Sequence, residues 1–101
     1  MIVVTSRIRV TGGDADALAA QYRQRLRLAE EMPGCRGIEV LRHAERTDEF
    51  MVYSRWDDAE AYERYRAHPA FREAHERVRE IPGGIRVARV DQGVDRYEVL
   101  S

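Results

Sequence analysis

The fold is decided between residues 50 and 65, which read FMVYSRWDDAEAYERY. From Phe50 to Trp56, every second side chain falls on the same side of an extended backbone, which predicts a β-strand with one face against a core. Asp57 or Asp58 then begins a helix, and Glu60 is placed to complete a capping box at its start. The stretch therefore predicts a strand that passes directly into a helix.

The chain before this stretch predicts two further strands with a helix between them. Alternating residues from Ile2 to Val10 predict the first strand, which a Gly-rich turn ends. Asp14 or Asp16 can cap the helix that follows, and its apolar positions recur at helical spacing: Ala15, Leu18, Tyr22, Leu26, Ala29 and Met32. A Pro-Gly pair ends this helix, and Gly37 to His43 predicts a second strand that pairs antiparallel with the third.

The chain after this stretch contains a proline inside a helical pattern. Pro69 either kinks the second helix or divides it into two helices. Beyond it the pattern restarts, with His75 beside the apolar positions Ala70, Phe71, Ala74 and Val78. Ile85 to Val90 and Arg96 to Leu100 are both strand-like, separated by a turn at residues 91–93. Either could supply the fourth strand, and we favour the last.

The resulting order β-α-β-β-α-β predicts an α+β fold of the ferredoxin-like kind, with two helices on one face of a four-stranded antiparallel sheet. A chain of 101 residues is the size of one domain, so we expect a single domain over residues 1–101. The opposite sheet face carries the partly apolar set Val3, Thr5, Met51 and Tyr53. A second copy packed sheet against sheet would cover it, and we therefore expect a homodimer.

Composition excludes several classes of partner. The formal net charge is -1, which gives no broad field to attract nucleic acid or an anionic membrane. The sequence contains neither a long apolar run nor an N-terminal signal peptide, so we expect a soluble, cytoplasmic protein. Cys35 is the single cysteine, which excludes an intramolecular disulfide and a multi-cysteine metal site.

The candidate site is a cavity between the helices and the sheet. The predicted inner faces bring together six side chains: Ser6, Trp56, Tyr62, Tyr65, Phe71 and His75. An apolar pocket with a few polar groups is the usual form of a small-molecule site, so we expect a small hydrophobic or aromatic ligand. Trp56 and Tyr62 have an equally simple interpretation as large fillers of a small core.

His75 is the most informative of these residues. It follows Phe71 by one helical turn and shares a face with Ala74, so we expect its imidazole to point inward. A single inward histidine is more often a hydrogen-bonded core residue than a ligand, although neutral imidazole is also a common metal ligand. His43 and His68 are predicted to lie in loops or on the surface.

Four segments of the chain resemble the antibiotic-biosynthesis monooxygenase superfamily. They are Pro33-Gly34, Glu39 to Arg42 (EVLR), Trp56 to Tyr62 (WDDAEAY) and Pro69 to His75 (PAFREAH). The resemblance runs from the first strand to about residue 78. It implies a dimeric α+β barrel and a monooxygenase that uses O2.

One branch of that superfamily, the Isd-type heme-degrading monooxygenases, implies a heme site here. The histidine that is the axial ligand of the heme iron in that branch falls on His75. The branch's distal asparagine falls on Ser6, and the tryptophan that ruffles its porphyrin falls on Tyr65. The resemblance thus implies heme as cofactor, bound by His75, Phe71 and Tyr62. It also implies three catalytic residues in the cavity: Ser6, Trp56 and Tyr65.

A second branch implies a different chemistry. Its cofactor-free monooxygenases oxidise aromatic polyketide quinols, and Trp56 and Tyr62 match residues used there, whereas its substrate-anchoring asparagine is Val52 in this chain. Our leading hypothesis is the heme-binding monooxygenase. The alternatives are a cofactor-independent oxygenase acting on an aromatic quinol and a non-catalytic dimer that binds a small ligand.

Overall fold

A computed structural model describes residues 1–24, 27 and 29–101 of the chain, with the side chains of 77–79 also outside the description. The elements in chain order are β1 (Ile2–Gly13), α1 (Ala15–Arg23), a short 3₁₀ helix (Ala29–Glu31), β2 (Cys35–Arg42), β3 (Glu49–Trp56), α2 (Ala59–Ala67), α3 (Pro69–Arg79) and β4 (Ile85–Glu98). None of the described helices is long and apolar enough to cross a membrane.

The four strands form one antiparallel sheet in the order β2-β3-β1-β4. This confirms the predicted α+β, ferredoxin-like fold. In the centre of the sheet, Ser54 of β3 lies between Val4 of β1 and Ile38 of β2. Ser6 lies opposite Val52, which places both serines on the same face.

The helices cover the face formed by the even-numbered residues of β1 and β3, as the alternation predicted. Two apolar clusters fill the space between the sheet and the helices. Trp56 and Leu18 are fully buried at their centres. The cluster around Trp56 includes Val4, Tyr62 and Tyr65, and the candidate site is built on this one.

The structure identifies the N-terminal caps of α1 and α2. The Asp14 side chain accepts a hydrogen bond from the backbone N–H of Asp16, so Asp14 caps α1. The Asp58 side chain accepts from the N–H of Ala61 and caps α2. Because Ala61 then occupies the third helical position, Glu60 does not complete the predicted capping box.

The first helix is shorter than predicted. It ends at Arg23, because the N–H of Gln24 bonds to Gln21 O in the tighter turn typical of a helix end. The later apolar positions belong to other structure: Ala29 lies in the 3₁₀ helix and Met32 follows it. The predicted position Leu26 lies outside the described residues.

Pro69 divides the second helical segment into two helices. His68 has an extended backbone, φ -85° and ψ 144°, as expected for a residue whose α conformation is blocked by a following proline. Pro69 is the first residue of α3, where its missing N–H leaves no helical bond unmade. The side chain of Val78, a predicted apolar position, lies outside the description.

The predicted choice between two C-terminal strands was wrong. Ile85–Glu98 is a single strand that pairs with β1 on both sides of an irregular stretch. Asp91 and Gly93 have positive φ angles of 54° and 80°. These residues form a bulge in β4 where a reversing turn was predicted.

The opposite sheet face is less open than predicted. Val3 and Thr5 are buried within the single chain, at 7% and 6% exposure. Their strand neighbours on this face are the larger Tyr97 and Tyr53. Tyr97 and Leu41 are the large apolar side chains exposed on this face among the described residues, at 54% and 42%.

Candidate functional site

A cavity of about 180 Å³ lies between the sheet and the helices. Its floor consists of side chains from all four strands: Val4, Ser6, Ile38, Val40, Val52, Ser54 and Val94. The floor is therefore apolar except for two hydroxyl groups. An apolar enclosure with few polar groups suits a small organic ligand.

The walls come from the three helices. They include the side chains Tyr22, Tyr62, Tyr65, Phe71, Ala74 and His75. Five of the six predicted site residues thus line this one cavity: Ser6, Tyr62, Tyr65, Phe71 and His75. Because His75 is exposed and also lines the cavity, the cavity reaches solvent beside it.

Trp56, predicted as a wall residue, lies one layer behind the wall. Its ring is stacked on Tyr65, with centroids 5.4 Å apart, and meets Tyr62 edge-on at 5.7 Å. Tyr65 in turn contacts Phe71, and the ring centroids of Phe71 and His75 are 4.2 Å apart. An aromatic column therefore runs from the core to the mouth, and Trp56 supports the wall from behind.

The polar group of Trp56 is bound within the core. Its indole Nε1–H donates to Ser54 Oγ at 2.9 Å, and Ser54 Oγ donates to the Val4 carbonyl at 3.2 Å. The Ser6 hydroxyl makes no hydrogen bond to any residue that the structure describes. The two floor serines therefore differ, because Ser54 is engaged and Ser6 is available.

The prediction that His75 points inward and away from water holds only in part, because its side chain lines the cavity but is exposed to solvent. The buried stripe of α3 is centred on Ala70, with Phe71 and Ala74 half-buried, and His75 lies at its exposed edge. His75 Nδ1 lies 2.7 Å from the carbonyl oxygen of Phe71. A carbonyl only accepts, so Nδ1 carries the hydrogen and donates it. In the neutral ring, the lone pair is then on Nε2.

The other two histidines have the opposite arrangement. His43 Nδ1 accepts from the backbone N–H groups of Glu45 and Arg46, and His68 Nδ1 accepts from that of Ala70. Their neutral rings therefore carry the hydrogen on Nε2. Both lie in connections between elements, as predicted. Of the three histidines, His75 alone presents an unprotonated Nε2 in its neutral form.

Two arginine side chains lie over the ring of Tyr62. The Arg96 and Arg66 guanidinium groups lie 5.2 and 6.0 Å from its ring centroid, and both pair with Glu63. Burial raises the pKa of the Tyr62 phenol above its usual value of 10.0, and the two arginines act against this shift. Tyr62 is thus a neutral hydroxyl near neutral pH.

Several lining residues were missed from the sequence. Ser54 was placed on the inner face of β3 but was not considered for the site, although a serine among Phe50, Val52 and Trp56 was a usable signal. Tyr22 was assigned to the core of α1, and burial raises the pKa of its phenol. Val94 was hidden because the second half of β4 was misplaced.

His75 supplies the one imidazole among the described residues that line the cavity. Within the described part of the chain, no group of three or more His, Cys, Asp or Glu side chains could hold a metal ion. A metal held here would therefore depend on one histidine and on a chelating organic ring. In metal-binding histidines, the ring nitrogen that does not touch the metal usually donates its hydrogen to a carbonyl or carboxylate, as His75 Nδ1 does here.

Comparison with known proteins gave concordant matches. Residues 1–77 match the family described as antibiotic biosynthesis monooxygenase. The chain is similar to a heme-degrading monooxygenase of Bacillus thuringiensis (strain Al Hakam), with 30% identity over 98% of this chain and 90% of that protein.

Solved structures share the fold. SnoaB, a cofactor-independent oxygenase from Streptomyces nogalater, is similar with a TM-score of 0.71 and 14% identity, covering 99% of this chain and 93% of that one. PA3566 from Pseudomonas aeruginosa has a TM-score of 0.71 and 19% identity, covering 99% and 94%. At these identities the likeness concerns the fold alone.

Proposed function

The chain belongs to the antibiotic biosynthesis monooxygenase family, and from that premise we propose that it is a heme-binding monooxygenase with His75 Nε2 as the axial iron ligand. The observation that carries the proposal is the hydrogen bond from His75 Nδ1 to the Phe71 carbonyl. That bond fixes the ring and leaves Nε2 as a neutral donor, which is the form that binds iron. The heme-degrading relative adds support across almost the whole chain.

The donor chemistry fits heme, and the dimensions limit how heme would lie. Ligand cavities commonly measure about 300–1,000 Å³, so a cavity of about 180 Å³ is too small for a whole porphyrin. Part of the ring would extend through the mouth, where His75 is exposed. An exposed His75 is consistent with this arrangement.

The floor and the wall would then act on opposite sides of the ligand. Ser6 lies on the sheet and His75 on α3, so a flat ligand between them would have the Ser6 hydroxyl on the side away from His75. That hydroxyl can donate or accept a hydrogen bond. Tyr65 is held between Trp56 and Phe71 and would form a fixed flat wall. Bound heme would supply the iron chemistry that activates dioxygen.

The experiment measures oxygen uptake and the loss of heme absorbance together, with hemin-loaded protein and ascorbate as reductant. We expect both signals in the wild type and their loss in His75→Ala. His68→Ala is the matched control, because its ring has the opposite hydrogen position. Uptake and heme loss that persist unchanged in His75→Ala would contradict the proposal.

A cofactor-independent oxygenase is the second candidate, and the small cavity volume favours it. A cavity of about 180 Å³ accommodates a small aromatic ring system whole, with no part extending through the mouth. SnoaB, with the same fold, is described as cofactor-independent. This alternative predicts oxygen uptake by heme-free protein with an aromatic quinol such as 1,4-dihydroxynaphthalene, above the rate without protein and unaffected by His75→Ala.

We further propose that the protein is a homodimer through the outer sheet face. Exposed Tyr97 and Leu41 lie on that face, beside the already buried Val3 and Thr5. Sedimentation should give a dimer for the wild type and a shift to monomer for Tyr97→Arg. Leu100→Arg, beyond the end of β4, is the control and should remain dimeric.

A further inference from the structure

The hydrogen-bond directions at Ser54 are fixed by the chemistry of its partners. The indole Nε1–H of Trp56 has no lone pair to offer, so it donates to Ser54 Oγ at 2.9 Å. The Val4 carbonyl has no hydrogen, so it accepts from Ser54 Oγ at 3.2 Å. Ser54 is 5% exposed and Trp56 is fully buried, so water does not compete for either bond.

One lone pair is what Ser54 has left for a ligand. A serine hydroxyl has one hydrogen and two lone pairs. Here the hydrogen is directed to Val4, and one lone pair is taken by Trp56. Because Ser54 also lines the cavity floor, it meets a ligand as a hydrogen-bond acceptor and not as a donor.

Because the surroundings of Ser54 are apolar, its character as an acceptor decides whether a ligand gains a hydrogen bond there. The floor around Ser54 is apolar, with Val4, Ile38 and Val52 as its nearest strand neighbours on the same face. A ligand that places an oxygen acceptor against the remaining lone pair gains no hydrogen bond there. A ligand that places an N–H or O–H there gains one in a place that water reaches poorly.

We infer that Ser54 is a specificity-determining residue, which selects ligands that present an N–H or O–H donor to the cavity floor. Trp56 is the positioning residue, because the hydrogen bond from its indole N–H to Ser54 Oγ keeps the hydroxyl from rotating. The inference concerns the floor of the cavity and stands whether or not His75 binds iron.

Two probes of nearly equal shape test it. Indole and benzofuran share one ring skeleton, but indole carries an N–H where benzofuran has an oxygen. Both are close in scale to the cavity, since an apolar cavity of about 150 Å³ binds benzene and this one measures about 180 Å³. The contribution of the apolar contacts that both probes make therefore cancels in the ratio of their affinities.

The measurement is a ¹⁵N-¹H spectrum of labelled wild-type protein titrated with each unlabelled probe. The chain has a single tryptophan, so one indole resonance reports directly on the bond to Ser54. We expect indole to bind about two- to tenfold more tightly than benzofuran, the value of one net hydrogen bond. We also expect indole to shift the Trp56 Nε1–H resonance further, because hydrogen bonds in series polarise one another.

Variants assign the effect to Ser54. Ser54→Ala should bring the affinity ratio close to one, and Ser54→Thr, which keeps the hydroxyl, should preserve the preference for indole. If Ser54→Ala does not fold, the wild-type and Ser54→Thr titrations still decide the matter. Ser6→Ala is the matched comparison, because it removes the other hydroxyl of the floor.

Three results would overturn the inference. The first is equal affinity of the two probes for the wild type, and the second is no binding of either. The third is loss of the preference in Ser6→Ala with its retention in Ser54→Ala, which would assign the acceptor to Ser6.

Discussion

Replacing Gly34 by alanine should destabilise the fold through two separable effects. Gly34 has φ +86°, a conformation that costs an L-residue about 1–2 kcal/mol. A Cβ at this position would lie 2.6 Å from the Cβ of Ala61 on α2, a fully buried residue. Such overpacking costs about 1–3 kcal/mol. We therefore expect Gly34→Ala to lower the free energy of unfolding by about 2–5 kcal/mol, from a total of about 5–15 kcal/mol for a domain.

Gly83→Ala separates the two contributions. Gly83 has nearly the same φ, +83°, but its added Cβ would meet no described atom within 4 Å. It should lose only the conformational cost of about 1–2 kcal/mol. Urea denaturation followed by Trp56 fluorescence gives both values. Equal losses in the two variants would refute the reasoning, because they would show that α2 moves away from Gly34 without cost and does not fix the cavity wall.

Two further predictions concern buried polar groups. Ser54→Ala leaves the buried indole N–H of Trp56 without its acceptor, so the free energy of unfolding should fall by about 1–3 kcal/mol, and by less in Ser54→Thr, as measured by the same denaturation. Burial raises the pKa of Tyr22 and Tyr62 above the usual 10.0. Because the folded state then holds these protons more tightly than the unfolded state, their contribution to the free energy of unfolding is complete below pH 10 and declines as the pH rises towards the folded-state pKa values. Denaturation on either side of pH 10 should show this decline. A stability that did not fall above pH 10 would count against this assignment.

The first three strands and a break at Pro69 were predictable because local chemistry decides them. Alternation identified the inner faces of β1 and β3, and a proline blocks the helical conformation of the residue before it. The end of α1 was not predictable, because apolar spacing continues to Met32 after the helix has stopped. The course of β4 was also hidden. The positive φ angles of Asp91 and Gly93 suit a hairpin turn as well as a bulge, and only pairing with β1 distinguishes them.

The residues of the candidate site were predictable, but the depth at which each of them lies was not. Helical and strand periodicity placed Ser6 and Tyr65 towards a common space, and both line the cavity. Periodicity does not distinguish the centre of a buried stripe from its edge, so the exposure of His75 was missed. It also cannot tell a wall residue from the layer behind it, which is where Trp56 lies. The functional roles of these residues stay predictions.

The ligation of heme by His75 is tested most directly by titrating hemin into the apoprotein and recording the visible absorption spectrum. The wild type and His68→Ala should give the same shifted Soret band. In His75→Ala, that band should be absent or require more than about tenfold more hemin, because removing even a partner that orients a metal ligand costs about 10–100-fold in affinity. A His75→Ala spectrum and affinity identical to those of the wild type would contradict the assignment of Nε2 as the iron ligand.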